Sequence, residues 1–169
     1  MQGRNRGQRS STTRGRSLQI FVIALVFVAT LGLVVLNLPR RSVASRADPS
    51  DASLVPQGQQ VYLARCASCH GANLEGQPNW QQELPGGGRP APPHDASGHT
   101  WHHPDALLFD ITKRGSQASL PSAGVTMMPS FASVLSDEEI WAVIAFIKSR
   151  WPAEVQAAQA QVNAQAEAR

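Results

Sequence analysis

Residues Cys66-Ala67-Ser68-Cys69-His70 combine two thiols and an imidazole at a spacing that can do chemistry: they read Cys-x-x-Cys-His. Thiols separated by two intervening residues reach the two vinyl groups of one porphyrin. The adjacent imidazole lies near enough to ligate the iron, so five residues suffice to attach and ligate a c-type haem. Bare Cys-x-x-Cys also serves redox dithiols and zinc ribbons. The chain holds only two cysteines, both in the motif, so no second pair completes a four-thiolate zinc site. No buried strand run precedes the motif, as the strand-to-helix junction of a thioredoxin-like unit requires.

With His70 on one face of the iron, the opposite face needs a donor chosen among Met127, Met128, His94, His99, His102 and His103. A thioether is a weak, soft donor that favours reduced iron. Met/His ligation therefore raises the reduction potential and leaves no open position for a substrate, whereas bis-histidine ligation lowers it. The ordinary role of both methionines is flexible core filling. Four histidines between His94 and His103 also suit a copper or zinc site. The plainer expectation is that His103 caps a helix, His94 hydrogen-bonds near the haem, and the others are solvated.

Three helices are expected to position these groups. The first has Pro56 near its start and runs through Val61, Tyr62 and Ala64 into the haem motif. The second begins at Pro104-Asp105, buries Leu107, Leu108 and Ile111, and ends with Lys113-Arg114 before Gly115. The third opens with Ser136-Asp137-Glu138-Glu139, a capping box. It continues with Ile140, Val143, Ile144 and Ile147 at helical spacing and stops near Pro152. No alternating apolar run predicts a sheet. The expected fold is all-α: about three helices and long loops wrapped around a covalent haem, preceded by one transmembrane helix.

Residues 1–17 carry five arginines and no acid, and read as a cytoplasmic basic segment. Residues 18–38 form an apolar run that, at about 1.5 Å per residue, spans roughly the 30 Å hydrocarbon core. A cleavable signal peptide is the alternative, but its apolar region usually runs only about 7 to 15 residues. The N-terminal arginines predict a cytoplasmic N-terminus and a haem domain on the extracytoplasmic, periplasmic side of the cytoplasmic membrane. Residues 39–53 read as a linker, 54–151 as the haem domain, and 152–169 as an Ala/Gln-rich tail whose helix propensity permits a solvent-exposed helix but whose scant apolar content makes fraying or disorder the default. The formal charge of +3 is set by the anchor: eight of the 15 cations lie at or before Arg46 and all 12 acids lie after it. The exported part is thus acidic, and the basic total carries no implication of nucleic-acid binding.

Cys-Ala-Ser-Cys-His-Gly, the later Met128-Pro129-Ser130-Phe131, and the closing Leu135-Ser136-Asp137-Glu138-Glu139-Ile140-Trp141 resemble a class I, mono-haem cytochrome c over about Leu54 to Trp151. The resemblance implies one covalent haem c bound through Cys66 and Cys69. It implies His70 as proximal axial ligand and Met128, the methionine that precedes a proline, as distal ligand. It further implies a proline carbonyl that accepts the His70 N–H, with Pro92 the candidate and Pro93 the fallback. In the family the terminal helices cross where a glycine meets an aromatic residue; Gly58 and Tyr62 match the first helix, Val143 and Phe146 the second. The departure lies in Gln77 to His103, where His94 stands at a position that common sequences fill with leucine.

The function expected on this basis is that of an electron carrier and not an enzyme. It is a membrane-tethered c-type cytochrome that passes single electrons between extracytoplasmic redox proteins, such as a dehydrogenase and a terminal oxidase. The alternatives are a haem subunit of a larger oxidoreductase complex, catalysis at a labile sixth position of the iron, and a copper-handling protein using the His94–His103 cluster.

Overall fold

A computed structural model describes residues 46–119 and 127–169, together with Ile23. The expected membrane-spanning segment over 18–38 lies outside the described residues. Among those described, no helix is long and apolar enough to cross a membrane. All regular structure there is helical. α1 spans Leu54–Arg65, a one-turn α2 spans Ala67–His70, and a 3-10 turn covers Thr100–His102. Then come α3 at Asp105–Arg114, a one-turn α4 at Ser116–Ser119, α5 at Asp137–Ser149 and α6 at Ala153–Glu167.

The capping box forms as read: Glu139 N–H donates to Ser136 Oγ at 3.2 Å and Ser136 N–H donates to Glu139 Oε2 at 2.8 Å. Two of the donors that every helix start leaves unsatisfied are thereby met. α5 is the centre of the domain, with Ile140 and every residue from Ala142 to Lys148 buried. One apolar cluster joins Tyr62, Leu74, Val143, Phe146, Ile147 and Trp151; another joins Ala47, Leu135, Ile140, Ile144 and Ala145. Ala47 is fully buried, so the packed unit takes in the end of the expected linker. Asp51 Oδ1 accepts from Ser53 N–H and Leu54 N–H, which fastens that stretch to the start of α1.

α1 and α5 cross backbone to backbone. A Cβ on Gly58 would lie 1.9 Å from the Ala142 carbonyl oxygen, and Tyr62 fills the space beside the crossing with its ring centroid 5.4 Å from that of Phe146. Glycine is the residue that permits such an approach.

α3 differs from expectation in what it buries. Leu107, Leu108 and Ile111 are half-buried, and its buried residues are Asp105 and Thr112. Both are polar and both are bonded: Thr112 Oγ1 donates to Leu108 O at 2.9 Å, and Asp105 Oδ2 accepts from Lys148 Nζ at 2.6 Å. His103 does not cap α3. Asn163 Oδ1, 58 residues away, accepts from Asp105 N–H at 2.7 Å.

That contact also corrects the reading of the tail. Residues Ala153–Glu167 are a helix, and its side chain Gln159 is 1 % exposed. Gln159 Nε2 donates to Asp105 Oδ1 at 2.7 Å and to His103 O at 3.3 Å. An Ala/Gln face buries little apolar area, but here it docks through polar groups that complete a buried ion pair, so tertiary hydrogen bonding supplies what apolar burial does not.

Two substitutions test this architecture by denaturant unfolding of the haem-loaded protein. Gly58→Ala should cost at least about 1 to 3 kcal/mol, since the contact at residue 142 is with backbone that must move. Lys148→Ala should cost about 3 to 5 kcal/mol, because it leaves the buried Asp105 carboxylate without its cation.

Candidate functional site

The haem motif follows directly from α1. Cys66 N–H donates to Tyr62 O at 2.8 Å as α1 ends, and His70 N–H donates to Cys66 O at 2.9 Å within the next turn. The Tyr62 hydroxyl donates to Gly71 O at 2.8 Å, tying the far end of the motif back to the helix crossing. Neither cysteine is in a disulfide; Cys66 is half-buried and Cys69 exposed. Burial pushes the Cys66 thiol up to about 11. Reactive redox dithiols have the opposite shift, toward a stabilised thiolate.

His70 is 8 % exposed, with Nδ1 2.9 Å from the Pro92 carbonyl oxygen. A carbonyl can only accept, so Nδ1 carries the proton and Nε2 is left with its lone pair. Burial holds the imidazole below its usual range, partly offset by the Pro92 bond. A neutral ring is what metal ligation requires.

Pro92 is brought to His70 by a loop that folds back on the motif. Gly76 N–H donates to His70 O at 2.8 Å, Gln77 N–H to Ala91 O at 2.9 Å and His94 N–H to Leu74 O at 2.7 Å. A Cβ on Gly76 would lie 2.5 Å from Pro93 N and 2.7 Å from the Pro92 carbonyl carbon, so that approach needs glycine. Leu74 is buried with φ +72°, a conformation unusual for leucine, and its carbonyl also accepts from Asp95 N–H. Leu74 and Gly76 went unrecognised in the sequence, where only an isolated glycine hints at a turn.

Met128 is half-buried and Met127 is 69 % exposed. Their segment is fastened to the end of α3, where Ser130 Oγ donates to Lys113 O at 2.7 Å and Phe131 N–H donates to Thr112 O at 3.2 Å. His70 and Met128 thus sit on separate segments, each with its own anchoring bonds.

The four histidines do not converge on one point, although the His99 and His103 rings meet edge-on with centroids 5.5 Å apart. His94 Nδ1 is 2.8 Å from Thr100 Oγ1, and its ring stacks on His70 at a centroid distance of 4.0 Å. His99 stacks on Trp80 at 5.2 Å and His102 on Trp101 at 3.6 Å. Burial lowers the pKa of His94 well below its usual value and also lowers those of His99 and His103. Among the described residues no three His, Cys, Asp or Glu side chains group as metal ligands, so the geometry gives the copper-handling reading no support. The neighbours of His94 had no local sequence signal, since Trp151, whose Nε1 donates to His94 O at 2.7 Å, lies 57 residues away.

Two unpaired thiols at the end of a helix, beside a neutral imidazole fixed through one nitrogen, are a donor set that fits a covalently held haem. Comparison with known proteins points the same way. Cytochrome bc1 complex cytochrome c subunits of Mycobacterium bovis and Mycobacterium tuberculosis are each 35% identical to the chain over 94 residues, covering 52% of it and 32% of the relative. The subunit from Mycobacterium leprae is 35% identical over 72 residues, covering 43% of the chain and 24% of the relative. The chain therefore spans about a third of the length of the curated relatives it matches. No solved structure gives a significant match. Residues 55–151, more than half of the chain, match the cytochrome c family, to which this protein belongs, and with that membership comes a covalently bound haem c at the Cys66–Cys69 motif.

Proposed function

We propose that this chain is a mono-haem, class I electron carrier that works as a subunit of a membrane oxidoreductase complex, with the haem domain on the extracytoplasmic side. The observation that carries the reading is the His70–Pro92 contact within a cytochrome c family match. It orients the imidazole, sets its tautomer and raises its basicity as a ligand. When bound, the haem supplies a one-electron iron couple. Cys66 and Cys69 would hold it covalently, and His70 through Nε2 and Met128 through its thioether sulfur would be the donors to its iron.

Met128 is favoured over Met127 because it is the one of the two turned partly inward, on a segment tied to α3 by two hydrogen bonds. A filled sixth position suits electron transfer and leaves none for a substrate. Membership of a complex is favoured over a carrier acting alone because the relatives are named as subunits of the cytochrome bc1 complex. The redox partners in this reading are other subunits of such a complex and extracytoplasmic redox proteins such as a terminal oxidase or a dehydrogenase. Residues 18–38 supply the membrane anchor, with length and composition as the support.

Two measurements bear on this. In a redox-titrated spectrum, Met128→Ala should abolish the weak band of sulfur-to-iron bonding. It should also lower the midpoint potential by on the order of a tenth of a volt, within the roughly 0.8 V over which axial ligands set haem potentials. An unchanged potential and spectrum would refute Met128 ligation. Separately, membranes extracted in mild detergent and run on a native gel stained for haem should show the chain co-migrating with larger subunits. Haem stain in the soluble fraction would rule out anchoring, and a membrane band at the size of the chain alone would rule out the complex.

A further inference from the structure

We propose that His94 is a positioning residue for His70, its ring lying against one face of the proximal imidazole and fixing the rotational setting of that ring. The inference rests on the reading of His70 as the proximal ligand.

The two imidazoles stack with centroids 4.0 Å apart and planes 21° from parallel. Pro92 restrains His70 along one edge, through Nδ1. One hydrogen bond at an edge still allows a planar ring to rock about its ligand axis; a second flat ring against its face removes that freedom. His94 can serve as such a wall because it is itself held on several sides. Its N–H donates to Leu74 O at 2.7 Å and its carbonyl accepts from Trp151 Nε1 at 2.7 Å. Its Nδ1 meets Thr100 Oγ1 at 2.8 Å, and the Tyr62 ring stands edge-on to it at 6.4 Å. Tyr62 and Trp151 belong to the same buried cluster as α5, so the wall is built into the core. The leucine common at this place fills similar volume, but it presents a branched aliphatic chain in place of a plane and has no group for Thr100.

The orientation of an axial imidazole decides which pyrrole rings of a ferric haem receive most of the unpaired spin, and the haem methyl proton resonances report it. The test uses the full-length, haem-loaded protein purified in detergent from cells that mature c-type cytochromes. His94→Leu is expected to reorder the four methyl resonances or change their spread. His94→Phe, which keeps a flat ring, is expected to retain the order of the natural protein. An unchanged pattern in H94L overturns the proposal, and so does the same change in both variants. A merely structural role would lower the unfolding midpoint without moving the resonances. If H94L takes up no haem, T100V replaces it: a shifted pattern supports the assignment and an unshifted one overturns it. The unsubstituted protein separates the two readings. Without a low-spin, six-coordinate ferric spectrum the ligation scheme itself is wrong; with one, an unchanged H94L removes only the role of His94.

Discussion

Only one of two things can occupy the space between α1 and α5: a side chain on residue 58 or the carbonyl of Ala142. Glycine gives that space to the carbonyl, and the rest of the domain is arranged from this contact. It sets how deep α1 lies, and α1 delivers Cys66 at its last turn. Tyr62 sits one turn beyond Gly58 on the same helix face, wedges against Phe146, and reaches Gly71 with its hydroxyl. The position of the haem motif is therefore inherited from helix packing, with the motif's own residues adding only the chemistry.

The long connection between α2 and the 3-10 turn has little regular structure, and its order comes from bonds to fixed points. Leu74, Gly76 and Gln77 bond backbone to backbone with His94, His70 and Ala91. The Leu74–His94 and Gln77–Ala91 bonds join residues just after the motif with residues beside Pro92, and the Gly76–His70 bond ties the loop to the motif itself, so the loop closes on His70 as a strap. Loops of this length are uncommon in compact domains unless they carry function. Here the strap brings the Pro92 carbonyl and the His94 ring to bear on one imidazole.

Local signals were the legible ones. The haem motif, the capping box at Ser136 and Glu139, and the stop of α3 at Gly115 each lie within five or six consecutive residues, and each appears where the sequence places it. The Gly58 crossing came from family resemblance, because nothing near residue 58 announces Ala142. What stayed hidden depends on partners far apart in the chain. The cap of α3 comes from Asn163 and not from neighbouring His103. The tail reads as solvated by composition, since Gln159 and Asn163 carry no apolar signal, yet Gln159 is among the most buried side chains. The contact of His94 with His70 joins two elements that only the strap brings together.

The family match ends at Trp151, but the buried polar cluster does not. Asp105 binds Lys148 from α5, Gln159 from α6 and, through its backbone, Asn163. Peeling α6 away would uncover an ion pair from which water is otherwise excluded, and would strip the first turn of α3 of its cap in the same motion. Local opening of the C-terminal helix and loosening of α3 are therefore one cooperative event. The last turns of α6 act as a latch on α3, the helix to which the segment carrying Met128 is tied through Thr112 and Lys113.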